Sequence, residues 1–140
     1  MKSKLSQLKA IVPFLTLTAA APAALANVDC YGSQTKISFW QHRPGSPQNF
    51  MTIDHLVMNG MEFWGGTYSI AGIGPVSEDR FDVDVTTTYT GSSEHIKRAH
   101  MTGARLQDGT WRVEFTPVNP ATGKLDLKSK QLLACTQSGI

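Results

Sequence analysis

Two cysteines, Cys30 and Cys135, stand near opposite ends of the chain, and there is no third. If they join, nearly everything between them becomes one closed loop. Bridged cysteines hold their Cα atoms within about 7 Å, so the first and last elements of the fold then lie side by side. In the chain-entropy account a loop of about 100 residues is worth about 4.7 kcal/mol of stability. Whether the pair joins depends on the compartment, and the N-terminus speaks to that.

Met1 to Lys9 carries Lys2, Lys4 and Lys9 and no acid. Ala10 to Ala21 is apolar apart from Pro13, Thr16 and Thr18, and Ala24-Leu25-Ala26 supplies small residues at both cleavage positions. A positive start, a short apolar run and an A-x-A end are the marks of a secretory signal peptide. The run is too short for a spanning helix, which needs about 20 residues. The residue before Cys30 is Asp29, and a charged side chain there argues against a lipid-anchored cysteine. Cleavage is expected between Ala26 and Asn27, leaving 27–140 as a single domain. The expected address is the bacterial periplasm, with full secretion as the alternative, and no membrane anchor. In such an oxidising compartment an isolated cysteine pair should bridge.

Removing the leader changes the charge argument. Three of the thirteen Lys and Arg lie in it and none of the eleven acids does, so the exported chain holds ten bases against eleven acids, a net charge of −1. A nearly neutral surface offers nucleic acid or an anionic membrane no electrostatic handle.

The exported part reads as β throughout. In "FMTIDHLVMNGMEFWGGTYSI" (50–70), Asn59-Gly60 separates two apolar, β-branched or aromatic runs. Asn and Gly accept the positive φ of a type I′ turn, so the stretch predicts a hairpin. Pairing across it sets Met58 against Met61, Leu56 against Phe63 and His55 against Trp64. "ARLQDGTWRVEF" (104–115) predicts a second hairpin turning at Asp108-Gly109. "RFDVDVTTTY" (80–89) alternates with period two, placing Phe81, Val83, Val85, Thr87 and Tyr89 on one face and Asp82, Asp84, Thr86 and Thr88 on the other. "KISFW" (36–40) and "KQLLAC" (130–135) supply the first and last strands. The only helical turns expected are short ones in Pro44–Phe50 or Asp126–Lys130. Seven or eight antiparallel strands form a small meander, and if Cys30 meets Cys135 its ends meet, which makes it a closed or nearly closed barrel; a β-sandwich is the alternative.

Motifs that carry chemistry are scarce. His95 and His100 are five apart, so strict alternation sends them to opposite faces, away from a common metal. With no C-x-x-C and no H-x-H, neither metal nor cofactor is expected. Asp82 and Asp84 share a face about 7 Å apart, but catalysis would need one of them in an apolar pocket, and Thr86 and Thr88 make that face a solvated one. Gly72-x-Gly74 is followed by Pro75 and no helix, so it reads as a turn and not a phosphate cradle.

The candidate binding surface is the Asn59-Gly60 hairpin. Leu56, Met58 and Phe63 are its natural core face; Thr52, His55 and Trp64 share the other, with Tyr68 further along. Trp64 is then either an exposed anchor of the kind that dominates protein interfaces or part of a ligand-holding barrel interior. The small exported barrel with one terminal disulfide is similar in general pattern to bacterial periplasmic lysozyme inhibitors; their inhibitory loop motif is absent, so the likeness is of architecture alone. Three functions remain open. The leading one is a non-enzymatic protein that binds another envelope or secreted protein, as an inhibitor, immunity or accessory factor. The second is a small-ligand carrier using the barrel interior. The third, weaker, is a small hydrolase built on Asp82, Asp84 or His55.

Overall fold

Asn59 and Gly60 sit at φ 52° and 79°, the left-handed pair that a type I′ hairpin demands. The strands either side pair as the spacing requires, His55 with Trp64, Leu56 with Phe63 and Met58 with Met61. This hairpin belongs to a computed structural model that describes residues 27–65, 68–89 and 95–138; the side chains of Tyr68, Tyr89, His95 and Ser138 fall outside that description. The leader and its cleavage site lie outside the described residues.

The described strands are β1 (Asn27–Tyr31), β2 (Thr35–Trp40), β3 (Phe50–Met58), β4 (Met61–Trp64), β5 (Tyr68–Ile73), β6 (Arg80–Tyr89), β7 (His95–Arg105), β8 (Trp111–Pro117) and β9 (Gln131–Ser138). All pairings are antiparallel, and eight of these strands close into a barrel, with β4 as an extra strand. The long β3 explains the extra strand. Its second half, His55–Met58, pairs with β4, while Phe50–Thr52 pairs with β5 on the same edge. One strand thus serves two neighbours in succession. The expected turn in Asp126–Lys130 is a 3₁₀ turn at Leu127–Ser129.

The staple is present, and it corrects one detail. "KISFW" is the second strand and not the first: Asn27–Tyr31 precedes it, and this β1 pairs with β9, Cys30 directly opposite Cys135. The disulfide joins them across a Cα–Cα distance of 4.0 Å. Val28 and Cys30 point inward and are fully buried. Five residues between the end of the leader and Gly32 gave too short a window for alternation to declare β1.

The interior is filled. Phe39 on β2, Phe81 on β6 and Trp111 on β8 come from separated parts of the wall and touch, with ring centroids 5.2, 5.5 and 5.8 Å apart. Val83, Val85, Met101, Val113 and Phe115 are likewise buried. Phe39 meets the other two rings edge-to-face, an arrangement that adds to the area term of burial. Gly103 on β7 lies opposite Phe81. A Cβ there would fall 2.2 Å from the Phe81 ring, so the missing side chain is what lets the ring lie against the wall. Apolar side chains face inward and charged ones outward, the reverse of a lipid-facing barrel.

Candidate functional site

Register alone puts His55 opposite Trp64, and the packing goes further. The two rings are stacked, 3.8 Å between centroids and 20° between planes. His55 Nε2 donates to Glu62 Oε2 at 2.7 Å. Glu62 and Trp64, two apart on β4, therefore grip His55 from one strand: the indole covers the ring and the carboxylate takes its hydrogen. His55 is buried beneath them, whereas Trp64 stays 52% exposed. Half of the indole is held rigid and half faces solvent.

A bulge makes this possible. Ser38 pairs with His55 but Phe39 pairs with Ile53, so Asp54 is an extra residue on β3. Without it, strict alternation would send Thr52 and His55 to opposite faces. With it, Met51 and Ile53 point inward below the bulge, Leu56 and Met58 above it, and Thr52 is exposed on the outside. Bulges re-aim side chains in this way.

The neighbouring strands extend the outer face. Ser38, opposite His55 on β2, turns its hydroxyl to the Asp29 carboxylate on β1, so it is not presented to the imidazole as a nucleophile. Trp40 and Tyr31 are exposed on the same two strands, and Lys36 lies 5.4 Å above the Tyr31 ring. Sequence reasoning singled out His55 and Trp64 and missed Glu62, Ser38 and Asp29; the period-two pattern of β4 was the one signal pointing to Glu62. The backbone of Tyr68 pairs with Tyr89 on β6, but its side chain lies outside the described residues.

The other candidate residues are elsewhere on the wall. Asp82 and Asp84 are exposed, 62% and 78% by side chain, and His100 lies between them, its Nε2 2.9 Å from Asp82 and its Nδ1 3.0 Å from Asp84. The two carboxylates meet opposite sides of one ring and do not converge on a point. β5 separates these strands from β3 and His55. The register also slips between Thr87 and Thr88, pairing Thr87 with Lys97 and Thr88 with His95. This bulge intervenes between His95 and His100, and the side chain of His95 lies outside the described residues. Among the described residues no group of three or more His, Cys, Asp or Glu is placed to hold a metal ion.

No family model, curated protein or solved structure matches the chain.

Proposed function

We propose that this is a small exported, non-enzymatic protein of the bacterial envelope that binds another protein through the outer face around Trp64. The observation that carries the reading is the half-exposed indole stacked on His55 at 3.8 Å. Tryptophan is the residue most enriched among those that dominate interfaces. Fixing its rotamer beforehand removes part of the ordering cost of association. The leader and the terminal disulfide support export, and the stapled barrel gives the anchor a rigid mount.

The other two functions find less support. A carrier needs a hollow interior, and Phe39, Phe81 and Trp111 meet across it. A hydrolase on Asp82 or Asp84 needs an apolar pocket around one carboxyl, and both side chains are exposed.

The test is quantitative affinity capture from envelope extract with the natural protein and with Trp64→Ala. A protein retained by the first and lost with the second, the two having matched melting curves, supports the reading. Identical capture by both, or none by either, overturns it.

A further inference from the structure

On the outer face of β6, β7 and β8, side chains stand in rows set by the register. Arg80, Ala104 and Arg112 form one row, and Asp82, Thr102 and Glu114 the next. The acids of the second row are already engaged, Asp82 by His100 at 2.9 Å and Glu114 by Lys130 at 3.0 Å. The arginines of the first are not. Among the described residues neither guanidinium has a side-chain partner. Two strand spacings put their Cα atoms about 10 Å apart, and between them the small side chain of Ala104 leaves the floor low. Both side chains can then reach over Ala104 toward one ligand.

This row borders a groove of about 820 Å³ whose walls also include Pro75, Val76 and Phe81. The groove reaches His42 as well. His42 Nε2 lies 3.1 Å from the Ser46 carbonyl and so carries the hydrogen. Its Nδ1 is buried and has no hydrogen-bond partner. That nitrogen has almost no accessible surface, so it does not itself receive a ligand from the groove. Two free guanidinium forks beside an apolar wall describe an anion that carries a carbon skeleton.

We infer that this groove binds a phosphate monoester, its phosphoryl group held between Arg80 and Arg112. A carboxylate fills one bidentate fork; a phosphate dianion has three terminal oxygens and charge enough for two. The ester's carbon skeleton lies toward Pro75 and Val76. The groove is independent of Trp64, so its failure and the failure of the partner-binding reading are separate results.

The phosphate can belong to a free metabolite or to a lipid headgroup, and calorimetry of the purified protein distinguishes them. Glycerol 1-phosphate is titrated in one arm, and phosphatidylcholine vesicles containing phosphatidic acid are used in the other. Saturable binding of the soluble ester assigns a free metabolite; binding of the vesicles alone assigns a headgroup; binding of neither overturns the inference. Arg80→Gln and Arg112→Gln should each weaken the observed binding about tenfold or more, and the double variant should abolish it with an unchanged circular dichroism spectrum. Arg98→Gln, on the same outer face but away from the groove, should leave it unaltered. Equal weakening by Arg98→Gln would mean diffuse surface attraction and would also overturn the inference.

Discussion

Trp111 and Trp64 each lie in a strand that meets its partner across a glycine-containing turn, and they end on opposite sides of the same wall. Trp111 points inward against Phe39 and Phe81 and donates its indole N–H to Gln41 Oε1 at 3.4 Å. Every part of it is used in holding the barrel shut. Trp64 points outward, rests one ring face on His55 and leaves the other to solvent. It takes no part in the aromatic cluster inside the barrel. The difference teaches that a tryptophan's role is set by which face of the sheet it occupies, and that a face is a one-residue matter of register.

The sharpest way to break the comparison is to truncate the inner ring. Trp111→Ala removes one corner of the aromatic cluster, and the expected loss is about 3–5 kcal/mol in chemical denaturation. A loss below 1 kcal/mol would mean that the interior is not packed as a unit. The staple ranks next. Cys30→Ser/Cys135→Ser should cost about 2–5 kcal/mol while far-UV circular dichroism still reports β structure below the lowered melting point. Two titratable thiols in the native protein without denaturant would show that the bridge does not form. Gly103→Ala tests how tightly the ring of Phe81 meets the wall. The added methyl has to displace that ring, and overpacking of this kind costs about 1–3 kcal/mol; an unchanged melting temperature would show that the ring moves freely.

On the outer side the effects on stability should be small. Trp64→Ala is expected to change it by about 1 kcal/mol or less, with its consequence read in binding instead. Equal losses from Trp64→Ala and Trp111→Ala would erase the distinction between the two faces. The smallest effect concerns Asp108, in the five-residue loop before Trp111. Its carboxylate accepts from the Thr110 hydroxyl and the Thr110 N–H, and these bonds hold its pKa below the ordinary carboxylate value. A group lowered on folding contributes stability above its unfolded pKa and loses it as pH falls through the folded one. The gap in denaturation midpoint between the natural protein and Asp108→Asn should therefore narrow in acid, and a gap that widens would reverse the assignment.

Much of the barrel was legible in the residues because its determinants are local. Asn59-Gly60 dictates a turn, and alternation in 80–89 assigns inside and outside without reference to the rest of the chain. Cys30 and Cys135 added the one long-range constraint, that the ends meet. The candidate site was legible only in part. His55 opposite Trp64 follows from the turn, but the stacking of their rings and the grip of Glu62 depend on side-chain packing, which no pattern records. The bulge at Asp54, which puts Thr52 and His55 on one side, lies where the register of β2 against β3 shifts between Ser38 and Phe39. Filling of the interior was a tertiary decision too, because Phe39, Phe81 and Trp111 meet only after closure brings β2, β6 and β8 around one axis. Likewise the row of Arg80, Ala104 and Arg112 exists only through the register of three strands. Sequence alone determines turns and faces, since each is written in neighbouring residues; which distant side chains share a face's neighbourhood is decided by register and closure, the properties of the assembled sheet.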